Sequence, residues 1–191
     1  SLPCSPREAH CRVITLPIPS LEGLTTDRLL FRRILPADVD WWMDYINCAE
    51  AIRFMPFTVG SRADCMAMIQ RSLDRYAEDG SGLHAVELRA TGEPIGQCGL
   101  LTQSVDGLPE LEIGYHLLPS YWGHGYAAEA AIACKLFAVE HRLAPAVISL
   151  IDEENHRSRG VAKRNGMVFE KRTIHRGTEA LVFRAALANG D

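Results

Sequence analysis

The sequence lacks several features that would place it in a specialised class of protein. No apolar run in its 191 residues approaches the about 18 residues that a membrane-spanning helix requires. The first 20 residues also lack the apolar segment of a secretory signal. The formal net charge of −4 argues against nucleic acid as the main partner and suits a cationic one. We therefore expect a cytoplasmic protein that binds neither membrane nor nucleic acid.

The six cysteines form no recognisable site. They stand at positions 4, 11, 48, 65, 98 and 134, without a C-x-x-C pair and without the Cys/His spacing of zinc ligands. Disulfides are rare in a reducing cytoplasm. Free thiols and no bound metal are therefore expected.

The periodicity of apolar residues indicates an α+β fold. Strands are predicted near residues 24–33, 83–88, 95–101, 111–117, 147–151, 168–172 and 181–184. Helices are predicted near residues 38–48, 61–79, 126–142 and 155–164. This order predicts a mixed, mostly antiparallel central sheet of about seven strands, with about four helices on its two faces.

One domain accounts for most of the chain. Residues 1–23 contain four prolines and no periodicity, which predicts a loosely ordered N-terminal extension. Residues 24–187 then form a single domain, and 188–191 a C-terminal tail.

A glycine-rich turn between the fourth strand and the third helix is the most informative stretch. The segment from Glu112 to Glu129 reads EIGYHLLPSYWGHGYAAE, and helical spacing begins at Tyr126. Free backbone N–H groups and the helix dipole at such a turn attract phosphate. Gly123 and Gly125 let the backbone turn sharply next to a ligand. The pattern predicts a site for a phosphate or pyrophosphate.

The same turn matches a dinucleotide-binding fingerprint, although its context does not. Residues 123–128 satisfy G-x-G-x-x-A. In dinucleotide-binding folds the turn follows its strand at once, and an acid stands about 20 residues further on. Here Leu118 to Trp122 intervene, and the corresponding later position is Pro145. A nicotinamide oxidoreductase is therefore a weak alternative.

The stretch from Trp122 to Ala127 resembles the pyrophosphate loop of the GNAT superfamily of acetyl-CoA-dependent N-acetyltransferases, whose pattern is Q/R-x-x-G-x-G/A. The loop residues are Trp122, Gly123, His124, Gly125, Tyr126 and Ala127, with Trp122 in place of Gln or Arg. The form YWGHGYAAEA, and T-x-R-L-x-x-R within residues 24–33, resemble the branch that contains ribosomal-protein N-terminal (alanine/serine) acetyltransferases. The resemblance implies acetyl-CoA as cofactor and splayed fourth and fifth strands.

The resemblance also implies how the pantetheine arm is bound. Backbone groups of His116, Leu117 and Leu118 would bind it, and an N–H near Leu117 would polarise the thioester carbonyl. Independently, Gly114 within a strand indicates a bulge or a close backbone approach.

Glu112 is the candidate general base, because an acid at this place in the family's strand often takes the amine proton. Desolvation would have to raise its pKa. A surface carboxylate is the alternative interpretation of Glu112, and Glu110 is a weaker candidate base. The ordinary pKa of an imidazole makes His84 and His116 possible bases, but both are predicted to be half-buried sheet residues.

Three residues at the last predicted helix concern how the thiolate leaving group would be stabilised. The family pattern there is N-x-x-A/S-x-x-x-Y, and Asn155 and Ser158 match its start, whereas Ala162 stands at the tyrosine position. Asn155 would bind the pantetheine amides, or act only as a helix N-cap. Ser158 would contact the sulfur and substitute for the missing tyrosine.

The hydrophobic loop 51–60 either packs under the first helix or lines the acceptor pocket. The resemblance favours the pocket, and the residues concerned are Arg53, Phe54, Met55 and Phe57.

The resemblance thus implies direct transfer of an acetyl group from acetyl-CoA to a primary amine. The acceptor would be a protein N-terminus or a small-molecule amine, and the enzyme a monomer or homodimer. No Cys or Ser at the site has a paired base, so no acyl-enzyme is expected. A catalytically silent CoA-binding module is the alternative, since the tyrosine is missing and Gly160 replaces a frequent arginine.

Overall fold

The computed structural model describes residues 13–56 and 60–187. Seven strands make up one sheet. They are β1 Leu29–Arg32, β2 Gly82–Leu88, β3 Pro94–Val105, β4 Leu108–Leu117, β5 Ala146–Ile151, β6 Val168–His175 and β7 Thr178–Ala186.

Four α-helices accompany the sheet. They are α1 Val39–Ile46, α2 Arg62–Glu78, α3 Tyr126–Glu140 and α4 His156–Arg164, and single 3-10 turns precede α1 (Pro36–Asp38) and α3 (Pro119–Tyr121). Sequence signals fix the helix starts. The Ser61 side chain caps α2 by accepting from the Asp64 N–H at 3.1 Å, and the Asn155 side chain caps α4.

The sheet is mixed, as predicted. Its strand order is β1-β2-β3-β4-β5-β7-β6, and only the β4–β5 pair among the described strands is parallel. That pair meets at Glu112 and Ile148 alone. The predicted divergence of the fourth and fifth strands is therefore confirmed.

Helices cover both faces of the sheet. Ala85 of β2 packs with residues of α1 and α2, such as Trp42 and Ile69. Its neighbour Val86 belongs to a second cluster that contains Phe137 of α3. Because successive strand residues point to opposite faces, the two clusters form separate cores on the two sides.

Two hairpins are tighter than predicted. The sequence predicts a loop at 104–109 and a hairpin connection across 173–180, and in the structure two-residue turns close both hairpins. Asp106–Gly107 has φ angles of 52° and 79°, and Arg176–Gly177 has 50° and 80°. Two successive positive φ angles match the right-handed twist of the flanking strands, so pairing extends to the turn and lengthens all four strands.

The part of the predicted N-terminal extension that the structure describes, residues 13–23, packs against the domain, whereas residues 1–12 lie outside the described residues. Within described residues 13–23, Ile18 and Leu21 are almost fully buried. The Ile18 N–H donates to the Asp79 carbonyl at 2.8 Å, and the Thr15 N–H to the Leu143 carbonyl at 2.7 Å. Apolar residues between the prolines thus join the core, and β1 begins only at Leu29 instead of at residue 24.

Gly114 sits in an unbroken ladder with β3, so the predicted bulge is absent on that side. The close approach is from side chains. A Cβ at Gly114 would lie 3.0 Å from Leu101 Cδ1 and 3.3 Å from Leu83 Cδ2.

Candidate active site

The divergence of β4 from β5 opens a cleft in the middle of the sheet. At its base the Ser149 hydroxyl donates to the Ile113 carbonyl at 2.9 Å. A backbone carbonyl of β4 thus accepts from a side chain of β5. Beyond this point lies a cavity of about 670 Å³, lined by β4, β5, the glycine turn and the starts of α3 and α4.

The glycine turn forms one end of the cleft. Gly123 and Gly125 have φ angles of 81° and 82°, which explains the need for glycine at both positions. Gly125 is the N-cap of α3 and has no side chain, and among residues 13–56 and 60–187 no side-chain hydrogen bond caps the start of the helix. A Cβ at Gly123 would meet nothing within 4 Å. The turn therefore offers an open, positively polarised surface to an anion.

Trp122 braces this turn against β4 and α4. Its indole N–H donates to the Leu117 carbonyl at 2.9 Å, and the Arg157 guanidinium lies 3.7 Å above its ring. Arg157 also pairs with Glu50 at 2.8 Å. Trp122 thus contacts both walls of the cleft and brings a cation to its edge.

Of the three backbone positions predicted to bind pantetheine, Leu117 alone turns its N–H to the cleft. The Leu118 N–H donates to the Ile95 carbonyl at 2.9 Å, next to β3. Backbone groups alternate in direction along a strand. Hence the groups of His116, paired with Gln97, also face β3, and those of Leu117 face away from it.

Glu112 lies in the cleft wall and is 9% exposed. Burial raises the pKa of its carboxyl, opposed by hydrogen bonds from the Gln103 side chain and the Leu150 backbone. Gln103 Nε2 lies 2.6 Å from Glu112 Oε2. A buried carboxylate with a raised pKa has the property that a general base requires.

Glu110, the weaker candidate base, is held by ion pairs outside the cleft lining. Its two oxygens accept from Arg184 at 2.7 and 3.0 Å, and Arg184 also pairs with Glu170. This arrangement gives Glu110 a structural role between β4 and β7.

The two histidines of the central strands differ in position. His84 is fully buried beside the Ser20 hydroxyl and the Gly82 carbonyl, outside the cleft lining. His116 is half-buried and lines the cleft. Burial lowers the pKa of both imidazoles to about 4, so both are neutral at physiological pH.

The start of α4 forms the opposite wall. Asn155 acts as N-cap, its Oδ1 accepting from the Ser158 N–H at 3.1 Å, and both residues line the cleft. The Ser158 carbonyl accepts from the Tyr115 hydroxyl at 2.9 Å. Ala162, at the family's tyrosine position, is buried.

The loop after α1 contributes to the cleft in part. Phe54 and Met55 line it. Arg53 lies instead beside a neighbouring cavity of about 370 Å³ and pairs with Glu154 at 2.6 Å. Phe57 lies outside the described residues.

Several residues around the site were not predicted from sequence. Tyr45, Glu50, Tyr115 and Tyr121 line the cleft. Strand alternation could have indicated Tyr115, which follows Ile113 on one face of β4. No local pattern marks Tyr45 or Glu50, because tertiary packing brings them to β4 and α4.

Comparison with known proteins identifies the family. The family model described as "Acetyltransferase (GNAT) domain" matches residues 28–168, which is most of the chain. The chain belongs to the GNAT acetyltransferases.

The chain is also similar to a curated relative and to a solved acetyltransferase structure. The uncharacterized protein YkkB of Bacillus subtilis is 39% identical over 92 residues, which cover 48% of this chain and 54% of YkkB. The chain thus spans about half the length of that relative. An acetyltransferase from Agrobacterium tumefaciens is 29% identical, with a TM-score of 0.73 over 85% of this chain and 92% of that one.

A more distant structure shares the fold. RimL, a ribosomal L7/L12 alpha-N-protein acetyltransferase in complex with coenzyme A, is 14% identical, with a TM-score of 0.69 over 92% of this chain and 100% of that one.

In the described part of this chain, no helix has the length and apolarity to cross a membrane.

Proposed function

We propose that the protein is an N-acetyltransferase that transfers an acetyl group from acetyl-CoA directly to a primary amine. One observation carries the proposal. The N-terminus of α3 has no side-chain cap and follows two glycines with positive φ angles. It opens onto the same cleft as the buried carboxylate of Glu112. The site therefore combines a place for pyrophosphate with a group that can accept a proton.

The residues that line the cleft suit the successive parts of acetyl-CoA. The turn Trp122–Ala127 would bind the pyrophosphate through backbone N–H groups. The outward N–H of Leu117, together with Asn155 and Ser158, would bind the pantetheine arm. When bound, acetyl-CoA supplies the acetyl group as a thioester. RimL, with the same fold, is bound to coenzyme A, which supports this assignment.

Proton transfer is assigned to residues of the chain. Glu112 takes a proton from the acceptor ammonium, directly or through water, and later releases it to solvent. The amine nitrogen then bonds to the acetyl carbon while the carbon–sulfur bond breaks. The Leu117 N–H donates to the carbonyl oxygen as negative charge develops there. The second amine proton goes to the sulfur, which Ser158 at the cleft wall would contact.

The acceptor end of the cleft suits a cationic amine with an apolar body. Phe54 and Met55 supply apolar surface, and Glu112 supplies a carboxylate. A protein N-terminus and a small amine both satisfy this description.

Calorimetry with acetyl-CoA and NADH tests the proposal. We expect the wild type to bind acetyl-CoA and not NADH. Gly125→Glu should abolish binding, because a carboxylate and a strained positive φ would both oppose the pyrophosphate. Gly177→Glu, at a positive φ in the distant β6–β7 turn, is the matched control and should keep affinity. Failure of the wild type to bind acetyl-CoA would refute the proposal.

A silent CoA-binding module is the second candidate, since Ala162 leaves the family's tyrosine position without a hydroxyl. Such a module would bind acetyl-CoA but release no CoA with any amine of a broad panel. We favour the enzyme, because burial has already raised the pKa of Glu112, and a silent module has no need of such a group.

A further inference from the structure

One carboxylate, that of Glu129, connects the start of α3 to the residues just before strand β1. Glu129 lies in the first turn of α3. Its Oε1 accepts from the Thr26 hydroxyl at 2.5 Å and from the Arg28 N–H at 3.0 Å, and its Oε2 from Arg28 Nε at 2.7 Å. Arg28 Nη2 lies 2.6 Å from the same Oε2. Both carboxylate oxygens are thus fully engaged by two residues about 100 positions earlier.

Arg28 also contacts the turn itself. Its Nη1 donates to the His124 carbonyl at 3.1 Å, and its guanidinium carbon lies 4.3 Å from the centre of the Tyr126 ring. A Cβ at Gly125 would lie 3.6 Å from Arg28 Nη2. The side chain therefore touches the central peptide of the turn and the residues on both sides of it.

The charge of Glu129 makes this arrangement consequential. A carboxylate in the first turn of a helix interacts favourably with the helix dipole, and it would repel a pyrophosphate bound at the same terminus. Here the ion pair with Arg28, whose Nε and Nη2 both contact Oε2, neutralises it. Hydrogen bonds from Thr26 and Arg28 outweigh burial and lower the pKa of Glu129, so the carboxylate is ionised when the pair forms.

We propose that Arg28 is a positioning residue for the cofactor, cancelling the negative charge of Glu129 at the anion-binding turn and fixing the His124 peptide. This inference rests on the proposed function. It gives a physical reason for two sequence features, the T-x-R-L segment and the glutamate of YAAEA, to occur in one chain.

Comparing two acetyl-group donors distinguishes a role of Arg28 in pyrophosphate binding from a general loss of structure. Acetyl-CoA carries the pyrophosphate, and acetyl-pantetheine lacks it. The affinities of both are measured by calorimetry for the wild type, R28M, R28K, E129Q and R28M/E129Q. R62M, which breaks an exposed 2.8 Å pair with Asp40, is the control, and thermal unfolding monitors folding.

The expected pattern is specific. R28M should weaken acetyl-CoA binding about 30-fold, in the range of lost hydrogen bonds to charged groups, and acetyl-pantetheine binding less than about threefold. R28K should lie between R28M and the wild type, because it keeps the charge without the fork. E129Q alone should change acetyl-CoA binding by less than about threefold, because removing a negative charge and releasing the Arg28 side chain act in opposite directions. R28M/E129Q should bind more tightly than R28M, because the uncompensated carboxylate is gone.

Opposite results would overturn the inference. Equal losses for both donors in R28M and E129Q would indicate a merely structural pair. Losses that add in R28M/E129Q would exclude charge compensation. If the wild type itself binds both donors equally, the proposed pyrophosphate site fails first. If it prefers acetyl-CoA and R28M keeps that preference, only the role of Arg28 is wrong.

Discussion

Two carboxylates of β4, Glu110 and Glu112, stand two residues apart on one face of the strand and have opposite surroundings. Glu110 is 4% exposed and forms a two-pronged ion pair with Arg184. Glu112 is buried almost as deeply, but the side chain that donates a hydrogen bond to it is the neutral amide of Gln103. Burial alone therefore does not distinguish a structural acid from a base.

The difference lies in the partner and in the neighbouring strand. At Glu110 a cation on β7 offsets the cost of burial. At Glu112 the pairing with β5 ends, the cleft begins, and desolvation raises the pKa. One strand thus carries an acid that holds the sheet together and an acid suited to proton transfer.

The largest effect is expected from Glu112→Gln. It should lower kcat with the best acceptor of an amine panel by about 100-fold or more, because the base is lost, while acetyl-CoA affinity stays unchanged. In the wild type, kcat/KM should rise with pH through the raised pKa of Glu112, since only the ionised form accepts a proton. Steady-state kinetics across pH 5–9 check both. Unchanged turnover in Glu112→Gln would exclude Glu112 as the base.

Arg184→Met tests the other half of the comparison. Removing the cation from a buried ion pair should lower the free energy of unfolding by about 3 kcal/mol, measured by urea denaturation. Glu170→Gln removes only the more exposed partner of Arg184 and should cost less than about 1 kcal/mol. Similar, small losses in both variants would contradict the structural role of Glu110.

Glu112→Gln should also change stability, with a sign set by its pKa. A raised pKa means that the folded state holds the proton more tightly than the unfolded chain. Stability is therefore lost as the pH rises through the folded pKa, and the wild type carries this penalty at neutral pH. The variant should melt about 2–4 °C higher at pH 7.5 and show a smaller difference at pH 4. A lower melting temperature at pH 7.5 would contradict desolvation as the cause.

The comparison also shows which parts of the site a sequence can predict. The glycine turn and the Asn155 cap depend on residues a few positions apart, and the structure shows the predicted sharp turn at Gly123 and Gly125 and the N-cap role that was one of two left open for Asn155. The turns at Asp106–Gly107 and Arg176–Gly177 are equally local. They were missed because the glycine of each turn was not interpreted as the second residue of a two-residue hairpin.

Partners that are distant in sequence could not be predicted in the same way. Glu129 contacts Arg28 across 101 positions, and His116 contacts Tyr45 across 71. Periodicity assigns a residue to a face of a strand, but not the side chain that another element brings to that face. For the same reason Glu110 and Glu112 were both candidate bases until the position of Arg184 was known.

The smallest effect is expected from His116→Gln, which compares Glu112 with the histidine on the same face of β4. The Tyr45 hydroxyl lies 2.9 Å from the Ala51 carbonyl and 3.1 Å from His116 Nδ1. Its single proton goes to the carbonyl, so His116 must donate from Nδ1, and Nε2 keeps its lone pair. Nε2 could thus accept a proton, but a pKa of about 4 makes His116 a weak base at neutral pH.

We therefore expect His116→Gln to change kcat by less than about threefold, the cost of one neutral hydrogen bond, and to leave the pH profile unchanged. Tyr45→Phe removes the same hydrogen bond from the other side, together with the hydrogen bond to the Ala51 carbonyl, and is the comparison variant. A loss in His116→Gln as large as in Glu112→Gln, with a shifted acid limb of the profile, would transfer the role of base to His116. Glu112 would then be a buried acid whose function is structural, like that of Glu110.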